Sequence, residues 1–317
     1  MKNGPARFNL YLDRFEELLI DTAKQPDPAL SLYQNGARTP LFMLEGLARL
    51  YSGLHNKKRF TRMGMHFKLL EDALGAIDYY DSFAKQFSQD KAIPAAATKA
   101  VQTKCSDKVK LLNNLLKKKN WLGTDANRIS KIRGKLRGAD WMEDKAELKA
   151  IESLYGASII KINAFAKTYA TGFTALETQV HELRRKLRWL SIYPQAMQGG
   201  IQLTMDASKD KNVAKYLTPD IVNSPFNKLP DTGANRYMLV FARDYFLALS
   251  WIISELGKLK DQGLRTVVLN EVGVKAKTDA KGEAAILKKA SAISSTYFAE
   301  KNLDKLVVGV MKANVKH

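Results

Sequence analysis

Apolar residues recur every three or four positions along most of the chain, which is the spacing of an amphipathic helix. Short polar connectors separate these segments, so consecutive helices would pack as antiparallel neighbours. The pattern therefore predicts an all-α protein built from antiparallel helical bundles. The predicted helices cover roughly 8–24, 39–54, 62–88, 94–119, 124–136, 143–167, 171–191, 234–258 and 281–300.

Some stretches do not carry the helical period. The region 195–233 contains "QGG", "TPD", "SPF" and "LPDTG", and predicts a long irregular connection. Two β-branched runs, "RTVVLNEVGVKAK" at 265–277 and "KLVVGVMKANVKH" at 305–317, are compatible with short strands and equally with buried helix ends. The pattern leaves that choice open.

The most apolar segment, "YMLVFARDYFLALSWIISEL" at 237–256, has the length of a membrane span. Arg243, Asp244 and Glu255 interrupt it, so we predict a buried helix of a folded domain. Arg243 would share a helical face with Arg236, and a charge in such a helix needs a partner or a wet cavity. Asp244 would supply the partner; the alternative is that Arg243 lines an internal anion channel.

The charge is strongly positive and evenly spread. The 51 Lys and Arg residues exceed the 32 acids, which gives a net charge of +19 and an isoelectric point near 9.7. Residues 1–150 and 151–317 each carry a similar excess, and we divide the chain into helical halves at 1–147 and 148–317. Such a charge favours an anionic partner, with nucleic acid, anionic membrane and polyphosphate all open. A basic protein without a polyanion partner is the alternative.

Cysteine content and the first residues bear on the compartment. Cys105 is the single cysteine, which excludes an internal disulfide and fits a reducing environment. The segment "MKNGPARFNLYLDRFEELLI" has acids where a signal peptide needs an apolar core. Both features predict a cytoplasmic protein.

One row of cations has a histidine at its start, in "VHELRRKLRWLSIYP" at 180–194. In a helix, His181, Arg184, Arg185 and Arg188 share one face, and Glu177 lies one turn before the histidine. Leu183, Leu187 and Leu190 lie on the opposite face, where they would enter a core. The spacing predicts a stripe of one imidazole and three guanidiniums.

Such a stripe suits a phosphate-rich ligand, because guanidiniums hold phosphate oxygens in a bidentate fork and an anion favours imidazolium. The alternative is a solvated helix whose arginines contact acids on neighbouring helices. Related rows occur at Arg59, Arg62 and His66 and at Arg128, Lys131 and Lys135. Lysines 117–119 end a predicted helix, where cations favour the dipole without any ligand.

"VHELRRKLRWL" resembles the signature helix of the CHAD family, the conserved histidine α-helical domain. That signature places arginine three positions after the histidine and a basic residue seven positions after it, within a leucine frame. His181, Arg184 and Arg188 match these positions. The family usually has further basic residues at positions where this chain has Trp189 and Ser191.

A second stretch, "FKLLEDALGAIDYYDSF" at 67–83, is similar to the family's helix pair carrying "LG…RDLDV". Asp78 matches the first acid of that run, and Ile77 stands where an arginine is common. The corresponding first histidine helix would be "GARTPLFMLEGLARLYSGL", with Arg38 or Thr39 in place of the histidine and Arg49 at a familiar basic position.

The resemblance implies two helical bundles related by a pseudo-twofold axis, with basic residues facing a central groove or pore. It also implies binding of inorganic polyphosphate and association with polyphosphate granules. CHAD domains are often fused to a triphosphate tunnel domain, whose ExExK strand is not found in this sequence.

Recognisable catalytic and metal-binding patterns are missing from the sequence. It contains no glycine-rich phosphate loop, no HExxH and no cysteine–histidine ligand spacing. We therefore expect a non-enzymatic protein without metal or cofactor that binds inorganic polyphosphate or another polyanion. The alternatives are an RNA- or DNA-binding protein that stacks bases on Trp189, Trp121 or Trp141, an enzyme acting on a phosphorylated substrate, and a protein-interaction scaffold.

Overall fold

The computed structural model describes residues 2–122, 128–205, 208, 210–274 and 280–313. Of these residues 73% are helical and 5% lie in strands, which confirms the prediction of a mainly helical protein. They form two compact units. The N-terminal unit comprises Lys2–Trp141 and Val267–Ala276, and the C-terminal unit Met142–Thr266 and Lys277–His317, as far as these ranges are described. The predicted division at 147/148 falls inside the helix Asp144–Thr168.

The N-terminal unit is built from helices that follow the amphipathic segments. A short helix at 28–34 was not predicted, because seven residues carry too little period; Asp27 caps it by accepting a hydrogen bond from the Leu30 amide. Of the predicted helix 124–136, residues 124–127 lie outside the described part. The helices are α1 (Gly4–Thr22), α2 (Pro28–Gln34), α3 (Arg38–Ser52), α4 (Lys57–Gln89), α5 (Ala95–Lys118) and α6 (Arg128–Arg137).

An aromatic cluster forms the core of this unit. Phe8, Tyr51, Phe60 and Trp141 are all buried, and the ring of Tyr51 lies 5.3 Å from that of Trp141 in an edge-on arrangement. Trp121 is buried against Phe15 at the other end of α1. Both tryptophans of the N-terminal unit therefore stabilise the core and are withdrawn from its surface.

The C-terminal unit combines helices with a small sheet and short helical turns. Its helices are α7 (Asp144–Thr168), α8 (Glu182–Ala196), α9 (Pro219–Val222), α10 (Arg243–Glu271, whose last residues belong to the N-terminal unit) and α11 (Ala280–Ala299). A π-helical turn, Leu176–His181, precedes α8, and 3-10 turns occupy Lys211–Tyr216, Pro225–Asn227 and Leu303–Lys305. Its strands are β1 (Ile201–Leu203), β2 (Tyr237–Phe241) and β3 (Val307–Lys312).

The three strands form one sheet in the order β1-β2-β3. β1 runs parallel to β2, with Ile201 beside Leu239, and β3 runs antiparallel to β2, with Val310 beside Leu239. Helix α7 packs on β2 and β3. The central strand is apolar on both faces, which is why its sequence shows no alternation.

The helix predicted over 234–258 is therefore wrong in its first part, because 237–241 is a strand and the helix begins at Arg243. Arg236 and Arg243 therefore do not share the helical face that was predicted, because Arg236 precedes the strand and Arg243 begins the helix. Of the two β-branched runs, 265–271 belongs to α10, whereas 307–312 is strand β3. The remaining residues 314–317 of the second run lie outside the described part.

Candidate functional site

Helix α6 separates an apolar face from a basic one. Its apolar residues Ile129, Ile132 and Leu136 are all buried, at helical spacings of three and four. The cations that alternate with them therefore point away from the core. This basic face carries Arg128, Lys131 and Lys135, as their spacing in the sequence predicted.

Two arginines outside that row hold α6 in position. Arg133 of α6 forms ion pairs with Asp13 and Glu16 of α1, at 2.6 and 2.8 Å. Arg59, at the start of α4, donates a hydrogen bond to the carbonyl of Gly138, just beyond the end of α6. A guanidinium at the carbonyl end of a helix also interacts favourably with its dipole. Arg59, one of the predicted ligand residues, thus positions α6.

A pocket of about 330 Å³ opens between α4 and α6. This volume lies within the range of small-ligand sites in proteins. We call it the basic pocket, and it is lined by His66, Arg128, Lys131, Ile132, Gly134 and Lys135. Two rows that the sequence presented separately, one ending at His66 and one starting at Arg128, meet in this pocket.

The cations of the basic pocket are not neutralised by acids in the described part of the chain. Arg128, Lys131 and Lys135 form no ion pair with any described carboxylate, and no acid occurs among the described lining residues. Arg128 donates through Nε and Nη2 to the carbonyl of Lys119, at 3.2 and 2.9 Å, which fixes its guanidinium at the end of α5. The pocket therefore presents an excess of positive charge.

His66 experiences this charge directly. Burial lowers the pKa of its imidazole, and the neighbouring Arg128, Lys135 and Lys119 lower it further. Among the described residues, the charged groups that shift this pKa are all cations. An anion in the pocket would reverse that effect and favour the imidazolium form, which then adds a donor.

The predicted stripe of the C-terminal unit lies on α8. We call α8 together with His181 the signature helix. Leu183, Leu187 and Leu190 are buried, as the spacing predicted. The turn that carries His181 is π-helical and not α-helical, a variation that often occurs at functional positions.

The arginines of the signature helix do not form an open stripe. Arg185 pairs with Glu182 at 2.5 Å, and Lys186 pairs with the same carboxylate at 3.0 Å. Arg184 turns inward and donates from Nε to the carbonyl of Ile253 on α10, at 3.1 Å. A Cβ at residue 257 would lie only 2.9 Å from this Nε, so Gly257 makes room for the guanidinium.

His181 lies beside these groups. Its Nδ1 is 3.3 Å from Oε1 of Glu177, within ion-pair distance, although it makes no hydrogen bond. Burial lowers the pKa of the imidazole, with Lys260 and Arg184 adding to the effect and Glu177 opposing it. Burial also lowers the pKa values of Lys260 and Arg184. Glu177 lies on the same side of the turn as His181, as their spacing of four residues predicted.

The other predicted site residues lie outside the basic pocket. Arg49 pairs with buried Glu45 at 3.2 Å, and Arg243 pairs with Asp244 at 3.3 Å, which confirms the acid partner expected for Arg243. Arg62 is exposed on α4, one turn before His66, and does not line the pocket. Arg188 is half-buried and has an interaction partner.

Sequence reasoning missed several residues that shape these sites. Lys119 contributes to the field at His66, although its run was assigned only to the helix dipole. Gly134 lines the pocket, and a Cβ there would meet only Nη2 of Arg137, at 3.8 Å. Lys260 contributes to the cluster around His181. The pattern around Lys119 held a signal, because Lys117, Lys118 and Lys119 form one continuous run.

Among the described residues, no group of three or more His, Cys, Asp or Glu side chains could hold a metal ion. None of the helices searched in that part of the chain is both long and apolar enough to cross a membrane. The chain shows no significant match to family models, to curated proteins or to solved structures.

Proposed function

We propose that this protein binds inorganic polyphosphate, or a similar polyanion, without catalysing a reaction on it. The observation that carries the proposal is the basic pocket, in which His66 meets Arg128, Lys131 and Lys135 without a described acid between them. The net charge of +19 and the resemblance to the CHAD family favour the same class of ligand. The proposal assigns the main contacts to the N-terminal unit.

The chemistry of the lining suits phosphate oxygens. The Arg128 guanidinium is planar, permanently charged and already oriented by the Lys119 carbonyl. Lys131 and Lys135 add mobile ammonium groups, and His66 adds a donor once it is protonated. Binding of this kind is mainly electrostatic and weakens as salt concentration rises.

Nucleic acid is the weaker alternative, because base stacking needs exposed aromatic rings. Trp121 and Trp141, two of the candidates for stacking, are only 2% and 7% exposed. Trp189 is half-buried, and its ring stacks on Tyr193 with a centroid distance of 6.0 Å. No Trp, Tyr or Phe occurs among the residues that line the basic pocket in the described part of the chain.

We propose that the protein does not catalyse a reaction on its ligand, because of the residue types that line the basic pocket. Among the described residues that line the pocket, none supplies a carboxylate, hydroxyl or thiol that could serve as a nucleophile or as a second acid–base group beside His66. A measurement of phosphate release from polyphosphate tests this part of the proposal. We expect no release above the uncatalysed rate, and release that depends on His66 would contradict it.

The finer features implied by the resemblance belong to the same proposal. They are two bundle halves with a pseudo-twofold relation, a basic groove or pore, and association with polyphosphate granules in the cytoplasm. His181, Arg184 and Arg188 match the CHAD signature. His181 lies beside Glu177 and Arg184 donates to the Ile253 carbonyl, so the basic pocket is the better supported ligand site.

Removal of two pocket charges tests the function. The Lys131→Gln, Lys135→Gln variant should bind polyphosphate about a hundredfold more weakly, since each charge-assisted hydrogen bond contributes on the order of tenfold. The matched control is Lys161→Gln, Lys167→Gln on exposed positions of α7, which removes the same charge from the C-terminal unit. Isothermal titration calorimetry measures both, and equal losses in the two variants would contradict a pocket-specific site.

A competition titration separates the two ligand classes. We expect polyphosphate to displace single-stranded RNA from the protein when both are present at equal phosphate concentration. Displacement in the opposite direction would favour the nucleic-acid alternative.

A further inference from the structure

Resting on the proposed function, we propose that the basic pocket holds the terminal phosphate of a polyphosphate chain, and not an internal segment of that chain. The inference concerns which part of the ligand is recognised. It depends on the shape of the pocket, on the concentration of its charge and on the chemistry of His66.

The shape of the pocket favours a chain end. Its lining includes Ile132, which is only 2% exposed, so the pocket reaches down to the core of the N-terminal unit. The cations come from one face of α6, and His66 approaches from α4. A pocket with a buried floor suits a chain end, which enters the pocket and stops there.

The charge of the pocket favours a chain end as well. A terminal phosphate has a second ionisation near neutral pH and carries roughly −1.5 to −2 charges, as phosphate monoesters do. An internal phosphate of the chain carries a single negative charge and has no second ionisation. One cavity of about 330 Å³ is lined by three cations and a histidine: Arg128, Lys131, Lys135 and His66. The phosphate with the largest negative charge therefore gains the most electrostatic binding energy there.

His66 supplies the third reason. A neutral imidazole accepts a proton and an imidazolium donates one, so the ring can match either protonation state of a terminal phosphate. Internal phosphates have no exchangeable proton near neutral pH and cannot share one with the ring. The histidine is half-buried in the pocket among cations, where this exchange affects the ligand directly.

Linear and cyclic phosphates provide the test. Linear triphosphate has two ends, whereas cyclic hexametaphosphate has more negative charges but no end. Isothermal titration calorimetry with the full chain measures both affinities. We expect linear triphosphate to bind at least about tenfold more tightly than cyclic hexametaphosphate, because one additional charge-assisted contact contributes on the order of tenfold in affinity. Equal or tighter binding of the ring would overturn the inference while supporting the proposed function.

Stoichiometry with longer chains tests the same point independently. If the pocket recognises ends, the number of protein molecules bound to one linear chain stays at two or fewer as the chain is lengthened. A number that grows in proportion to chain length would overturn the inference. No binding of any linear phosphate would instead refute the proposed function itself.

A steric variant shows that the pocket is the site involved. Gly134→Leu fills the pocket without changing the charge, and an added side chain has open space there. Gly156→Leu on α7 is the matched control, because a Cβ at that position meets nothing within 4 Å and Gly156 lies outside the pocket. We expect Gly134→Leu alone to weaken linear triphosphate binding, by about tenfold or more. Unchanged binding in Gly134→Leu would assign the chain end to another site.

Discussion

The basic pocket and the signature helix each bring a histidine together with several cations, but in different environments. The cations of the pocket come from a different helix than His66, whereas those of the signature helix follow His181 in the chain. Each imidazole has a pKa lowered by burial and by neighbouring positive charge. In the pocket, the lysines of α6 have no described acid partner. In the signature helix, Glu182 holds Arg185 and Lys186, and Arg184 is bound to a backbone carbonyl.

The difference shows that a row of cations indicates an anion-binding site only when neighbouring acids and carbonyl groups do not already occupy those cations. A surface ion pair contributes little to stability, but it competes with any anion that approaches the same cation. An arginine that turns inward and donates to a backbone carbonyl is likewise committed to the fold. By this criterion we propose a mainly structural role for the signature helix and place the proposed binding site in the basic pocket.

The largest expected effect concerns the structural role of the signature helix. Leu187 is completely buried, so Leu187→Ala should lower the free energy of unfolding by about 2–5 kcal/mol. Urea denaturation followed by circular dichroism measures this loss. Under conditions where the variant is still folded, its affinity for linear triphosphate should equal that of the wild type. A comparable loss of affinity would show that the signature helix contributes to binding.

The next effect compares matched charge reversals in the two regions. Lys135→Glu and Arg185→Glu change the net charge equally, but only Lys135 lines the basic pocket. We expect Lys135→Glu to weaken triphosphate binding by about 1.5–3 kcal/mol, the contribution of a charged hydrogen bond. Arg185→Glu should change it by less than about 0.5 kcal/mol, because Glu182 already neutralises that arginine. Calorimetric titrations at one salt concentration measure both, and a larger effect at Arg185 would reverse the comparison.

The smallest expected effect is the dependence of stability on pH. The folded protein holds the pKa of His66 below 6.5, whereas the unfolded chain does not, so the unfolded state binds more protons as pH falls below 6.5. The histidine therefore does not lower the free energy of unfolding above pH 6.5, and it lowers that free energy progressively as the pH falls below 6.5. His66→Gln should reduce this acid-induced loss by a fraction of a kcal/mol, since the ring is partly solvated.

Denaturation curves at several pH values measure that loss, and linear triphosphate provides the control. A bound anion favours imidazolium, so triphosphate should reduce the loss that depends on His66. It should leave unchanged the loss that depends on His181. A pH dependence identical in wild type and His66→Gln would contradict the environment described for this residue.

Much of the fold could be predicted because amphipathic helices carry their period in the sequence. The segments of α3, α4 and α5 alternate buried and exposed residues with clear helical spacing. Strand β2 could not be predicted, because a run that is apolar on every side has no period to distinguish strand from helix. Its pairing partners β1 and β3 lie far away in the chain.

The candidate site was predictable only in its components. The sequence showed the cations of α6 and the histidine of α4 in two separate rows. They meet in one pocket because Arg133 and Arg59 hold α6 in position in the folded protein. The neutralisation of Arg185 by Glu182 was visible in the spacing of three residues. The contact of Arg184 with the Ile253 carbonyl was not, because it joins two separate helices.

The most direct test follows the imidazole resonances of His66 and His181 by nuclear magnetic resonance as pH is varied, with and without linear triphosphate. His66→Gln and His181→Gln assign the two signals. The binding site proposed in the basic pocket predicts that triphosphate raises the pKa of His66 and leaves that of His181 unchanged. A raised pKa of His181 with no change at His66 would contradict it and place the ligand at the signature helix.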